Sequence, residues 1–495
     1  MRIIGRKREQ RELRRYCESG RPEFVVVYGR RRVGKTFLVR EYFGNSFAFH
    51  ATGIAGGNAA VQLRSFCGSI REHGGAAEVA KDWFDAFDQL KALLQRDDVP
   101  RDGIGGKRVV FIDEMPWLDT PRSNFRSALE LFWNGWASAQ PDILLIVCGS
   151  ATSWVIKNLL KERGGLHNRV TGRLHLEPFT LGECEEYYRQ NGVAMTRNQM
   201  IESYMVFGGI PFYLDLFDRR LGLVQNVDRL CFAPSGQLRG EFDELYRSLF
   251  KHADRHVKVV RALAKRTSGA TRAEIERAAK IAGGGTLTET LDELEQCGFV
   301  RRYRDFTKPS RDAVYQLIDP FTLFYLRFME GTDDERFWSN HLGDAGYRSW
   351  SGRAFELVCL LHTAQMKEAL GISGISTSAC AWRSATSGSN PAADPGQPAD
   401  LDLGTHGPGT RGAQIDLLLD RADGVVNVCE MKFSQSEFVI DKAYDQVLRN
   451  KLAVFAAETG THKALHLTMV TSCGVARNQY AGIVQSEIVG DDLFA

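Results

Sequence analysis

Gly29-Arg-Arg-Arg-Val-Gly34-Lys35-Thr36 follows directly on Phe24-Val-Val-Val-Tyr28, a short and wholly apolar run but for its last ring. Such a run, closed by a glycine, reads as a strand buried on both faces of a parallel sheet. The loop after it fits G-x-x-x-x-G-K-[ST] at every constrained position, and Phe37–Phe43 beyond it reads as a helix. Strand, glycine-bounded loop and helix in that order make a phosphate cradle. The glycines let backbone N–H groups turn inward, and the positive end of the helix dipole adds to their field. The predicted ligand is ATP with Mg²⁺, held by Gly29, Arg30, Arg31, Arg32, Val33, Gly34, Lys35, Thr36 and Phe37. Lys35 is expected to reach the β- and γ-phosphates, and the Thr36 hydroxyl to ligate the metal. The three arginines either add phosphate attraction or are simply solvated.

Working outward, Val109-Val-Phe-Ile-Asp113-Glu114 is a second buried strand with two carboxylates at its end. Asp113 is placed to hold Mg²⁺ through water and Glu114 to polarise an attacking water, so Lys35 and Glu114 are the expected catalytic residues of ATP hydrolysis. A third run, Ile143–Cys148, leads to Ser150. That serine either senses the γ-phosphate or caps a helix over Ser153–Leu160. Arg169 and Arg173 are either arginine-finger candidates or solvated side chains beside a strand. Helical patterns over Val61–Ile70 and Asn124–Ala137 lie between the runs. Strands alternating with helices imply an α/β domain with a parallel sheet.

Composition bounds the rest. At 495 residues the chain exceeds what one core usually supports, so about three or four domains are expected. Lys and Arg number 63 and Asp and Glu 61, so any nucleic-acid contact must come from a local patch and not from a field of the whole molecule. The 10 cysteines are scattered without a Cys-x-x-Cys pair, which suits a reducing compartment and argues against a zinc site. The N-terminal segment is too charged for a signal peptide, and no apolar run approaches the roughly 18 residues of a membrane span. The expected location is cytoplasmic. Trp117, Trp133, Trp136 and Trp154 read as core aromatics.

Beyond Leu181 the texture turns helical, from Leu181–Gln190 to Leu214–Phe217. Helical segments His256–Arg266, Thr271–Ala282 and Thr286–Gln296 then precede two strands, Phe299–Tyr303 and Ala313–Leu317, the ingredients of a winged helix. Its third helix carries Glu289, Asp292, Glu293 and Glu295 and no cation, which opposes entry into a groove. The tip is basic (Arg301, Arg302, Arg304, Lys308, Arg311), so backbone contact through the wing is open, with a packing role favoured. A helix over Arg353–Leu370 and a Ser/Gly/Pro/Ala-rich stretch, Ser384–Gly412, come next, the latter expected to be a flexible insertion. Strands Gln414–Asp420 and Val425–Phe433, a helix over Asp441–Glu458 and a strand over Ala464–Thr471 follow. Period two puts Glu430 and Lys432 on one face, and a hairpin at Asp423-Gly424 brings Asp416 beside them. Two carboxylates and a lysine suit metal-dependent phosphodiester cleavage, with Asp416 and Glu430 on Mg²⁺ and Lys432 orienting water. A surface ion pair is the plain alternative.

Ile4-Gly5-Arg6, the loop, the Asp-Glu strand, Cys148-Gly-Ser150 and Leu176-Glu-Pro178-Phe179 resemble the archaeal-type ATPases of the STAND branch of AAA+ proteins. Phe207-Gly-Gly209-Ile-Pro211 looks like that branch's Gly-x-Pro motif, which implies that Pro211 lies near the nucleotide. Leu317-Ile-Asp-Pro320-Phe321 leads into a part similar to the PD-(D/E)XK nuclease fold often fused to these ATPases. The resemblance makes Glu356 an extra acidic metal ligand and Gln446 an auxiliary polar residue. The implied architecture is a P-loop ATPase domain (1–178), a helical lid (179–250), a winged helix (251–330) and a nuclease-like domain (345–495) with its insertion at 384–412. Such a protein would be an ATP-hydrolysing switch acting on DNA or RNA through its C-terminal module. The other reading is an ATP-dependent scaffold for a protein partner, with no cleavage.

Overall fold

The computed structural model describes residues 3–76, 78–150, 152–161, 166, 168–266, 268–281, 283–306, 313–384 and 413–495. The expected insertion therefore lies outside the described residues, apart from Ser384, and so do Lys308 and Arg311 of the basic tip. The chain divides into two compact units, Met1–Pro178 and Phe179–Ala495.

The first unit is built on a five-stranded sheet in the order β2-β3-β4-β1-β5. The strands are β1 (Glu23–Tyr28), β2 (Phe49–Thr52), β3 (Arg108–Asp113), β4 (Ile143–Gly149) and β5 (Gly172–His175), all parallel. The three central strands are the three apolar runs. They are buried along almost their whole length because helices cover both faces. The edge strands β2 and β5 escape a reading based on apolar runs because they are short and alternate, as in Gly172-Arg-Leu-His175. Phe24, Phe49, Phe66, Trp83, Phe125 and Trp133 fill one core. Of the tryptophans expected there, Trp133 is buried, Trp136 and Trp154 pack at its margin, and Trp117 is exposed. Because β4 lies between β1 and β3, its end at Gly149 falls between the glycine loop and Asp113. The segment after β4 begins as a turn of α-helix, Thr152–Val155, and widens into a π-helix, Ile156–Lys161.

The second unit opens with helices Leu181–Gln190 and Arg197–Phe207. Each starts on a capping box, Thr180 with Glu183 and Thr196 with Gln199. Helices Ala253–Ala264, Arg272–Ala279 and Gly285–Gln296 share a core with a three-stranded sheet, β6 (Ala270–Thr271), β8 (Val314–Leu317) and β7 (Val300–Tyr303) in that spatial order. A second five-stranded sheet has the order β13-β12-β11-β10-β9. Here β9 (Thr377–Arg383), β10 (Gln414–Arg421) and β11 (Val425–Lys432) run antiparallel, while β12 (Ala464–Thr471) and β13 (Ser486–Val489) continue in parallel. Parallel pairing of β11 with β12 requires a crossover, which the Lys442–Thr459 helix supplies. The single helix expected over Arg353–Leu370 is two, Ala345–Leu361 and Thr363–Ala369, broken at His362. That ring is drawn inward: Nδ1 bonds the Val358 carbonyl at 2.8 Å, and Nε2 accepts from the Leu181 N–H at 2.9 Å. Among the described residues no helix is long and apolar enough to cross a membrane.

The hairpin of β7 and β8 does not stand free. Asp305, just past β7, pairs with Ala381 of β9; the Phe306 N–H donates to the Ala381 carbonyl (2.8 Å) and the Ala381 N–H to the Arg304 carbonyl (3.3 Å). The hairpin's end thereby continues the C-terminal sheet beyond β9.

Candidate functional site

Backbone shape comes first at the glycine loop. Gly29 has φ 144°, and a Cβ there would run into the Leu176 carbonyl oxygen. Gly34, at φ 87°, begins the Lys35–Tyr42 helix. The Lys35 ammonium is buried and donates to the carbonyls of Gly29 and Arg30, both at 2.8 Å. Thr36 Oγ1 donates to Asp113 Oδ1 at 3.2 Å, which ties the first turn of that helix to the end of β3. Burial raises the Asp113 pKa and Glu114 adds to this, while the Thr36 bond opposes it. A hydroxyl and a carboxylate joined in this way are hard oxygen donors that suit Mg²⁺, and a bound cation would relieve the desolvation that Asp113 bears.

Glu114 adopts a left-handed conformation (φ 46°) and reaches across to the end of β4. Ser150 Oγ donates to its Oε1 at 2.5 Å and the Ser150 N–H to its Oε2 at 3.2 Å. Ser150 is thus the direct partner of Glu114, and not a side-chain cap of the following helix. Arg6, almost fully buried, donates from Nη2 to the Val33 carbonyl at 3.1 Å and braces the loop from behind, a role that its sequence motif does not specify. Its signal was the Gly5-Arg6 pair beside an otherwise ordinary charged helix. Arg169 and Arg173 are exposed. Pro211 is the first residue of the Pro211–Asp215 helix in the second unit, where Gly209 (φ 65°) lets the chain pass close to Phe179 and Tyr204.

The C-terminal residues assemble from four elements. The Leu417–Cys429 pair places Asp416 and Glu430 next along their antiparallel strands. Glu430 is a hub. Its Oε1 accepts from Tyr444 (2.6 Å) and pairs with Lys432 (3.2 Å), and its Oε2 pairs with Lys451 (2.5 Å). Burial alone would raise this carboxyl, but Lys451 and Lys432 outweigh it and hold the pKa at about 2. Glu356, on the Ala345–Leu361 helix, faces the same cluster; burial, with Asp416 adding, pushes it up to about 8. Asp416 Oδ1 accepts from Gln414 Nε2 at 2.5 Å. Tyr444 and Lys451 were not anticipated, because nothing in the sequence marks which face of the crossover helix turns to β11. Gln446, expected in that role, is exposed. Among the described residues no group of three or more His, Cys, Asp or Glu side chains gathers closely enough to hold a metal ion. In this arrangement Glu430 is matched to lysines, and Glu356, Asp416 and Glu430 do not form a ready cation cage.

Residues 3–217 match a family model described as an ATPase domain predominantly from Archaea. An uncharacterized protein of Methanocaldococcus jannaschii is 26% identical over 330 residues, which is 66% of this chain and 69% of the relative. Among solved structures, the Walker-type ATPase of Pyrococcus abyssi aligns with 66% of this chain and 96% of its own at 19% identity and a TM-score of 0.45. The ORC2 protein of Aeropyrum pernix aligns with 66% and 93% at 15% identity and a TM-score of 0.41. The family match falls on the glycine loop, the Asp-Glu strand and the parallel sheet that joins them, and the N-terminal part of this chain is accordingly a P-loop ATPase domain.

Proposed function

We propose that the protein is an ATP-hydrolysing switch of the STAND type, located in the cytoplasm, whose nucleotide state governs a nucleic-acid-directed C-terminal module. The observation that carries the first half is the meeting of Lys35, Thr36, Asp113 and Glu114 beyond the C-terminal ends of the inner strands of a single sheet. Gly29 to Phe37 bind the phosphates through backbone N–H groups and Lys35 neutralises their charge. Thr36 and Asp113 would hold Mg²⁺, which would supply charge neutralisation on the phosphates. Glu114 orients the attacking water once Ser150 releases it, so the Ser150 clamp keeps turnover low until the γ-phosphate competes for the serine.

In the second half, residues 251–330 act as a winged helix that couples by packing, and residues 345–495 as a nuclease-like module. Asp416, Glu430, Lys432 and Glu356 form its reactive face. Cleavage in the presence of a divalent cation is the stronger form of this reading and requires Glu430 to exchange a lysine for the ion. The saturation of Glu430 by Lys432, Lys451 and Tyr444 favours a second reading, in which the module binds without cleaving and serves as a scaffold for a partner.

Calorimetry with ATP tests the first half: Lys35→Ala is expected to lose at least ~100-fold in affinity, and unchanged affinity would refute the nucleotide site. Incubation of the full chain with single- and double-stranded DNA and RNA, with Mg²⁺ or Mn²⁺ and with or without ATP, separates the two readings of the module. Cleavage abolished by Asp416→Ala supports the nuclease; intact polymers beside undiminished ATP turnover support the scaffold.

A further inference from the structure

We infer that Arg301, on the β7–β8 hairpin, belongs to the C-terminal site and anchors a phosphate of a nucleic-acid strand there. This rests on the nucleic-acid reading of the module and adds to it a residue from outside the sheet.

The hairpin is fixed to the sheet beside Asp416. Between the pairs Trp382–Ile415 and Cys380–Leu418 the register shifts, so that Ala381 alone faces both Asp416 and Leu417. A bulge of this kind re-aims the side chain that it carries. Ala381 is the same residue that pairs with Asp305 at the end of the hairpin. Phe306 packs its ring on Phe455 of the crossover helix (5.1 Å between centroids), and Arg383 of β9 bonds Ser268 at the hairpin's base. Asp416 therefore sits on the part of the sheet to which the hairpin is stitched.

Strand alternation then sorts the hairpin's cations. Arg302 and Arg304 are exposed, and Arg302 pairs with Glu295 at 3.7 Å. Arg301 and Tyr303 turn the other way and are partly buried. The Arg301 guanidinium lies over the Tyr303 ring at 4.6 Å, and its Nε donates to Gln316 Oε1 at 2.7 Å. Among the described residues its two Nη groups make no hydrogen bond, and it forms no ion pair with Asp416, whose Oδ1 is taken by Gln414. Burial lowers the Arg301 pKa while Tyr303 and the charge of Asp416 pull against it, which places the two charges within electrostatic reach. A guanidinium fixed at one nitrogen and on an aromatic face, with the rest of its fork unused, suits bidentate capture of a phosphate. Lys432 and Lys451 supply further positive charge on the neighbouring strand and helix. The acidic helix Gly285–Gln296 offers a strand nothing comparable.

The test is fluorescence anisotropy of the full chain with labelled single- and double-stranded DNA and RNA oligonucleotides, in EDTA to prevent cleavage, over a series of salt concentrations. Arg301→Gln is expected to weaken binding by roughly tenfold and to lower the salt slope by about one, whereas Arg302→Gln and Arg304→Gln weaken it less than about threefold. Arg301→Lys, which keeps the charge and loses the fork, should lie between. Melting temperature and ATP affinity report that each variant is folded. If Arg301→Gln binds like Arg302→Gln, the assignment is overturned and the nucleic-acid reading survives. Should Arg301→Gln fail to fold, wild-type affinity in Arg301→Lys overturns the assignment by itself. If the unaltered chain binds none of the oligonucleotides, the reading and the assignment fall together.

Discussion

The two candidate sites use the same ingredients, lysine beside carboxylate, and gather them in opposite ways. The nucleotide site is built mainly from one segment: Gly29 to Thr36 shape it with backbone geometry, and β3 and β4 each add one strand end. The C-terminal site is a meeting of side chains from the Ala345–Leu361 helix, β10, β11 and the crossover helix. A loop that works through its main chain tolerates little change in shape and much change in its variable side chains. A site made of side chains is the reverse, because each charge there is balanced by another charge.

That contrast is sharpest at the glycines. Gly29→Ala places a Cβ on the Leu176 carbonyl at a φ of 144°, so the loop must rebuild; calorimetry should show nucleotide affinity lost by ~100-fold or more. Gly424→Ala, at the β10–β11 turn with φ 86° and open space around it, should cost only about 1 kcal/mol in denaturant unfolding. Equal effects would break the distinction. Charge removal tests the other side. Lys451→Met leaves the largely buried Glu430 with Lys432 and Tyr444 alone and should destabilise the second unit by about 2–4 kcal/mol, read as a shift in its denaturant midpoint. No measurable loss would mean that the cluster is not balanced as described.

The smallest expected effect lies in the pH dependence of Glu356. Its folded pKa of about 8 lies above the ordinary carboxyl value of 4.5, so between those values the unfolded chain has released a proton that the folded chain still holds. Stability must therefore fall as pH rises from about 4.5 to 8. Glu356→Gln should flatten this part of the profile of melting temperature against pH, and a slope equal to that of wild type would show that the carboxyl is not held neutral.

How much could be read in advance follows from the same contrast. The glycine loop, β1, β3 and β4 were legible because the periodicity of a doubly covered strand and the spacing of a cradle both lie within one short window. The pairing of Glu430 with Lys432 was legible for a similar reason, as residues two apart on one strand share a face. Tyr444, Lys451 and Arg301 were not, since each depends on which side of a helix or hairpin turns toward a strand distant in sequence. The break at His362 was hidden as well, because the pattern of apolar residues continues across it and the amide that its ring meets, at Leu181, is distant in sequence.

The bond from Leu181 to His362 carries a consequence for biosynthesis. The family match ends at residue 217, yet the chain's own seam falls at Pro178, so residues 179–217 fall within the family match and are lodged with the C-terminal half by contact. As the polypeptide leaves the ribosome, the Leu181–Gln190 helix has its partner imidazole 181 residues further along the chain and not yet synthesised. The buried Arg197–Phe207 helix must likewise wait for the Ala345–Leu361 helix that covers it. The ATP-binding sheet can mature early, but its companion helices cannot settle until most of the protein has been made. A truncation at the family boundary would strand them with their greasy side bare.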